Sequence, residues 1–314
     1  MKIAFHSNQL GLRGTEVSLY DYARYNEEIL GNTSIIISDK NATMDSYDKF
    51  NNRFPVYLYD NFSEVESIID KNSVDCLYLQ KSGVFDSKIV SNARNLIHAV
   101  FMEKEVHGDV YAYISKWLSD KMSNGTIPYV PYMIDLPIHE LNYRNHFNLN
   151  NKFVIGWYGG NNFDIPFAQQ AVINVAQHRK DIEFLFMNHD PFTNLENVKF
   201  IQGTHDMDAK VAFINTCDVM IHGRARGETF GLTVAESSTM NKPVITFNGS
   251  AERNHIDILG EKGIYYSDYS ELFNILNNIA YSDIKDKNWN CYTDFTPTNV
   301  MQQFNKVFLN NNTI

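Results

Sequence analysis

The stretch "DVMIHGRARGETFGLTVAESSTMNKPVITF", residues 218–247, decides the fold class. A short apolar run (218–222) gives way to a glycine-punctuated loop, then to a helical segment over 231–241 and a second apolar run over 243–247. Strand, loop, helix and strand in that order make the repeating unit of a parallel sheet with covering helices. The same alternation spreads outward on both sides. Towards the C-terminus it continues with a helix over 268–280; towards the N-terminus it runs back through a helix over 208–216, strands over 198–201 and 182–187, a helix over 164–179 and the strand "FVIGWYGG" (153–160). The first half repeats the pattern, with strands expected at 2–7, 33–38, 54–59, 75–79, 96–101, 110–115 and 128–131, and helices at 16–29, 64–70 and 116–123. Residues 131–151 lose the periodicity, carry two prolines and end in asparagines, and so read as a linker. The expectation is an α/β protein of two doubly wound, Rossmann-like domains, 1–145 and 146–290, facing one another across a cleft, with an amphipathic helix over 297–311 in the remaining 291–314.

Composition narrows the function. The chain of 314 residues has 44% hydrophobic and 20% charged residues, which is a globular rather than a disordered composition. Net charge is −10 and no run of Lys and Arg forms a basic patch, so a nucleic-acid partner is not expected. Three scattered cysteines, Cys76, Cys217 and Cys291, make neither a disulfide framework nor a zinc site. With no signal-like N-terminus and no apolar stretch of 18 residues, a cytoplasmic location without a transmembrane segment is expected, with room for peripheral attachment to a membrane.

Within the opening stretch, Gly231 lets a ligand approach the backbone, and the helix that follows offers free N–H groups at Leu232, Thr233 and Val234 and the positive end of its dipole. Glu228 precedes that helix and Glu236 lies some 6–8 Å deeper, given the ~1.5 Å rise per residue. Two carboxylates so spaced can bracket an extended phosphate ester. Isolated Glu pairs of this spacing are more often a solvated side chain and a helix flank. The Phe-Gly-Leu between them and the "PVITF" strand after them raise the weight of the functional reading.

These residues resemble the signature of the retaining GT-B glycosyltransferases of the family 4 group (glycosyl transferases group 1): Glu-x-Phe-Gly-Leu, a second Glu, then a Pro-Val strand. "GLRGTEVSLYDYA" (11–23) is similar to that family's first glycine loop and helix, and "VYAYISKWLSDKM" (110–122) to the strand and helix that close its first domain. The resemblance implies transfer of a sugar from a nucleoside diphosphate sugar, a UDP- or GDP-sugar, to a hydroxyl of a glycan, lipid or protein-glycan acceptor. Anomeric configuration would be retained, with no metal and no cofactor beyond the nucleotide sugar as co-substrate. It places Glu228 at the sugar hydroxyls, Gly231, Leu232 and Thr233 at the diphosphate with Thr229 and Phe230 in the same donor loop, and Glu236 at the ribose. Gly14 and Thr15 would lie under the donor phosphates, although Thr15 serves equally as a helix N-cap. The C-terminal helix would pack back on the first domain.

One departure stands out. The family carries an Arg and a Lys after the first strand of its second domain, whereas this chain reads "GWYGGNNFDIPFAQQ" (156–170). Arg224, and after it Arg226, are the nearest replacements for charge on the leaving diphosphate. Gly159, Gly160 and Asn161 remain donor-binding candidates, because a Gly-Gly turn admits close approach. The family's histidine is sought at His107, ahead of His98, with Glu103 as competitor. The Asp-x-Asp at 206–208 precedes a helix and fits N-capping better than metal binding. Neither a Gly-x-Ser-x-Gly elbow nor a Gly-x-Gly-x-x-Gly fingerprint occurs at the expected place. Two alternatives remain, a non-hydrolysing nucleotide-sugar epimerase and a non-catalytic sugar-nucleotide-binding subunit.

Overall fold

A computed structural model describes residues 1–310; the end of the tail helix expected over 297–311 therefore lies outside the described residues. The chain divides into two compact units, one formed by Met1–Asp135 together with the segment from Asp294 onward, the other by Leu136–Thr293.

The first unit runs β1 (Lys2–Ser7), α1 (Gly14–Glu28), β2 (Thr33–Asp39), α2 (Tyr47–Asn51), β3 (Val56–Tyr59), α3 (Val65–Asn72), β4 (Cys76–Lys81), β5 (Arg94–Ala99), β6 (Val110–Tyr113) and α4 (Lys116–Ser123). Its six strands form one parallel sheet in the order β3-β2-β1-β4-β5-β6. Strands such as "KIAFHS" and "CLYLQK" are buried along nearly their whole length, as expected where helices cover both faces. The expected strand over 128–131 is reduced to a single bridge between Tyr113 and Tyr129. Pro128 and Pro131 flank it and have no N–H to extend a ladder.

The second unit repeats the plan with β7 (Phe153–Tyr158), α5 (Pro166–His178), β8 (Ile182–Met187), β9 (Val198–Ile201), α6 (Met207–Thr216), β10 (Val219–His222), β11 (Gly227–Glu228), α7 (Leu232–Thr239), β12 (Val244–Phe247), β13 (Glu252–Arg253), α8 (Asn254–Leu259), β14 (Ile264–Tyr266), α9 (Tyr269–Asn278) and α10 (Tyr281–Ile284). Six of these strands form a parallel sheet ordered β14-β12-β10-β7-β8-β9. The chain winds outward from β7 in one direction and returns to β10 on its other side, so the order reverses between β7 and β10. Open α/β sheets bind ligands beyond the carboxyl ends of their strands at such a reversal.

The stretch read as a linker is built into the second unit over much of its length. Leu149 is fully buried with Val154, Leu185, Phe213 and Ile214, and Tyr143 and Phe147 pack against that group. The unit begins at Leu136, ten positions before the expected boundary at 146. Prolines and asparagines hid the apolar anchors spaced among them.

The final segment returns to the first unit. Thr296 caps α11 (Pro297–Phe304) by accepting from the Asn299 N–H at 3.3 Å, and a wider turn over Asn305–Leu309 continues it. Phe304 and Phe308 pack among Tyr78, His98 and Tyr22. No helix among the described residues is long and apolar enough to cross a membrane.

Candidate functional site

Most of the expected site residues gather beyond the carboxyl ends of β7 and β10. β10 ends at His222, and the loop that follows carries Arg224 and Arg226 into Glu228 and the helix start at Gly231. β7 ends at Tyr158, followed by Gly159 and Gly160, both with positive φ (+127° and +98°). A side chain on Gly159 would meet Thr233 Cγ2 at 2.6 Å, so this glycine is what allows the turn to lie directly against the first turn of α7. The two loops are stitched together: the Ala225 N–H donates to Asp164 Oδ1 at 2.8 Å, and the Asp164 N–H donates to the Gly223 carbonyl at 3.0 Å.

Gly231 enters α7 in the left-handed region (φ +91°) and no side chain caps that helix. Its first turn therefore presents N–H groups and positive potential without an internal partner from a cap. A Cβ at Gly231 would lie 3.1 Å from Glu228 Cβ and Cγ, so the glycine also lets Glu228 sit against the helix entrance. Thr229 and Phe230 are buried, and the Phe230 carbonyl accepts from Asn254 Nδ2 at 3.0 Å. Those two fix the loop. Leu232 and Thr233 are half-buried.

The carboxylate of Glu228 is gripped on both oxygens. Oε1 lies 3.2 Å from His222 Nε2, and Oε2 accepts from Arg224 Nη1 at 3.0 Å. Burial pushes this carboxyl up, but the His222 hydrogen bond and the Arg224 charge outweigh it and hold the group below its ordinary value. His222 in turn contacts Thr246 Oγ1 through Nδ1 at 3.0 Å, and the same hydroxyl lies 3.0 Å from His255 Nε2.

Glu236 is buried one and a half turns into α7 and is already occupied. Oε2 accepts from the Tyr158 hydroxyl at 2.8 Å and Oε1 from Lys210 Nζ at 2.9 Å. Lys210 had no signal in the sequence, since it sits on α6 and reaches Glu236 only through the fold. Asp206, as expected, caps that helix by accepting from the Asp208 and Ala209 N–H groups at 2.9 and 3.4 Å.

The remaining candidates separate. Arg226 Nε forms an ion pair with Glu252 at 2.8 Å, whereas Arg224 is the arginine on Glu228. Asn161 is tied to Asp190 by two hydrogen bonds, at 2.5 and 3.1 Å. Gly14, Thr15 and His107 belong to the first unit. Gly14 opens α1 behind Arg13 as the cap residue, so Thr15 is not the N-cap; its hydroxyl donates to Glu16 at 2.8 Å instead. His107 lies on the loop before β6, with Nδ1 on the Glu105 carbonyl and its ring against Phe85 and Tyr111. His98 is a core residue, bonded to the Tyr78 hydroxyl at 2.5 Å and the Val130 carbonyl at 2.9 Å. Among the described residues, no group of three or more His, Cys, Asp or Glu is arranged to hold a metal ion.

Residues 191–274, which contain the whole helix-entrance motif, match the family described as Glycosyl transferases group 1. No curated protein sequence matches the chain. The fold is that of GT-B glycosyltransferase structures. HepE from Anabaena, solved with UDP-glucose, superposes with a TM-score of 0.69 at 15% identity over 98% of this chain and 95% of its own. The lipopolysaccharide outer core galactosyltransferase WaaB gives 0.63 at 12% identity over 98% and 99%. A putative UDP-N-acetylglucosamine 2-epimerase from Listeria monocytogenes gives 0.61 at 14% identity over 97% and 96%.

Proposed function

We propose that this protein is a retaining glycosyltransferase of the family 4 type, moving a sugar from a UDP- or GDP-sugar to an acceptor hydroxyl without a metal. One observation carries the reading: an uncapped, glycine-entered helix start with an ionised, doubly held glutamate beside it, inside the segment that matches the glycosyltransferase family. Similar structures solved with UDP-glucose and with UDP support the donor class.

In this mechanism the diphosphate lies on the N–H groups of Gly231 to Thr233, where the helix dipole stabilises the charge that develops as the sugar departs. Arg224 adds a cation. One guanidinium nitrogen is committed to Glu228, and other donors of its five remain for a phosphate oxygen. Glu228 holds the sugar hydroxyls, and the acceptor attacks on the face the diphosphate leaves, giving its proton to the leaving phosphate oxygen. Glu236 has accepting capacity beyond Tyr158 and Lys210, since a carboxylate offers about four lone-pair sites, and takes the ribose diol.

Incubation with UDP-, GDP-, ADP-, dTDP- and CDP-sugars tests this. Slow release of free sugar, or transfer to an added acceptor, is expected. A changed sugar still attached to its nucleotide would favour the epimerase, and tight binding without turnover would favour a binding subunit. Thermal shifts with the bare nucleotides identify the base, because a ligand of the native state raises stability by mass action.

A further inference from the structure

Behind Glu228 lies a chain of buried polar groups for which donor binding alone gives no reason. His222 at the end of β10 and Thr246 on β12 are register partners on adjacent strands. His255 on α8 packs against His222 with ring centres 4.7 Å apart and the ring planes inclined by 50°. His222, Thr246 and His255 have no exposed surface. From Glu228 the contacts run His222 Nε2, His222 Nδ1, Thr246 Oγ1 and His255 Nε2, at 3.2, 3.0 and 3.0 Å. The last atom, His255 Nδ1, is buried and has no hydrogen-bond partner.

Both ends fix the direction of the chain. An ionised carboxylate only accepts, so the His222 nitrogen facing Glu228 carries a proton. Suppose His222 were also protonated on Nδ1. Thr246 would then accept that proton's hydrogen bond and donate to His255 Nε2, driving the His255 proton onto Nδ1, where nothing accepts it. Orphaned buried N–H groups are rarer than under-used acceptors. The consistent arrangement has His255 Nε2–H donating to Thr246, Thr246 O–H donating to His222 Nδ1, and His222 Nε2–H donating to Glu228. Burial above all, with the nearby charges of Arg253 and Arg224, keeps His255 from gaining a second proton.

Resting on the glycosyltransferase reading, we infer that His222, Thr246 and His255 form a one-directional positioning relay that fixes the orientation of the Glu228 carboxylate, and so sets how tightly the transferred sugar, as distinct from the nucleotide, is held. Arg224 takes one Glu228 oxygen and the relay takes the other, leaving the remaining lone pairs aimed by two independent anchors. The relay also backs the helix entrance, since a Cβ at Gly231 would lie 3.3 Å from His255 Cβ. None of the three residues is required to touch the reacting atoms. They are positioning residues.

Thr246→Val removes the central hydroxyl at nearly constant volume, and Thr246→Ser retains it. The expected result for Thr246→Val is a fall of about tenfold in kcat/KM for the nucleotide sugar, affinity for the free nucleoside diphosphate unchanged, and recovery to within about threefold in Thr246→Ser; a tenfold change corresponds to roughly 1.4 kcal/mol. Nitrogen-15 NMR of the imidazoles gives a readout independent of turnover. The wild type should show His222 and His255 as Nε2–H tautomers, with His222 losing its fixed tautomer in Thr246→Val. A folded Thr246→Val that turns over like the wild type, a parallel loss of nucleotide affinity, or a His255 proton on Nδ1 would overturn the relay. A wild type that acts on no nucleotide sugar overturns the parent reading, and the positioning role falls with it.

Discussion

Two helix entrances in this chain look alike in sequence and differ in chemistry. Near the N-terminus, "GLRGTE" (11–16) leads into α1; in the second unit, "RGETFG" (226–231) leads into α7. At the first, Glu16 folds back to accept from the Arg13 N–H at 3.2 Å, in the manner of a capping box. There the carboxylate is turned back onto its own cap residue, although no side chain caps α1 any more than α7. At the second, Gly231 supplies no side chain, and the glutamate nearby is turned to His222 and Arg224. The two carboxyls shift in opposite directions as a result. Burial dominates at Glu16, where bonds from Thr15 and Arg13 offset only part of it, and the group is raised above 4.5. At Glu228 the same burial is outweighed by a histidine and an arginine, and the group is lowered. A glutamate by a helix start folds back on its own cap residue in one case and is held by a histidine and an arginine in the other.

Breaking the second entrance should have the largest effect. Glu228→Gln should lower transfer or donor hydrolysis by about 10²–10³-fold, the usual loss when an electrostatic contact to the transition state is removed; an activity near wild type would erase the distinction between the two glutamates. Lys210→Met leaves Glu236 buried with Tyr158 alone, and chemical denaturation should register a loss of about 3 kcal/mol, as for one half of a buried pair. Gly231→Ala forces a side chain into φ +91° against Glu228, and should cost about 1–2 kcal/mol in stability together with the nucleotide-induced rise in Tm. Glu16→Gln should change stability near pH 7 by only ~0.5 kcal/mol, since Gln also serves at that capping-box position.

The pH dependence sharpens the same contrast. A lowered carboxyl stabilises fully above the ordinary value of 4.5 and loses that contribution as pH falls through its folded value. A raised carboxyl opposes folding while ionised and is relieved as pH falls from its folded value towards 4.5. Between pH 7 and 4, Glu228→Gln should therefore flatten the acid loss of stability and Glu16→Gln should steepen it. Stability curves that shift the same way in both variants would show that the His222 hydrogen bond and the Arg224 charge do not outweigh the burial of Glu228.

Strand-helix alternation was legible because strands in a doubly covered parallel sheet are continuously apolar, and the helix-entrance motif was legible because Gly, Phe and Glu occupy fixed local positions. What the sequence hid was partnership across the fold. Lys210 lies 26 positions before Glu236, and Thr246 lies 24 after His222; only the sheet order brings them together. The sequence ranks Arg224 ahead of Arg226 only by weight, and the small β11–β13 ladder separates them by bringing Glu252 to Arg226. Leu149 and Phe147 were masked by the asparagines around them, since local composition says little about an isolated anchor that meets a distant core.

The return of the last segment to the first unit has a consequence for synthesis. The second unit is one uninterrupted stretch, Leu136–Thr293, whereas the first needs residues from both ends of the chain. At 5–20 residues per second, roughly 10–30 s pass between emergence of Asp135 and arrival of Phe304 and Phe308. During that interval the aromatic surface around Tyr22, Tyr78 and His98 lacks its cover. The half that is made first is thus the half completed last, and it is the nascent first unit that a holding chaperone would be expected to engage.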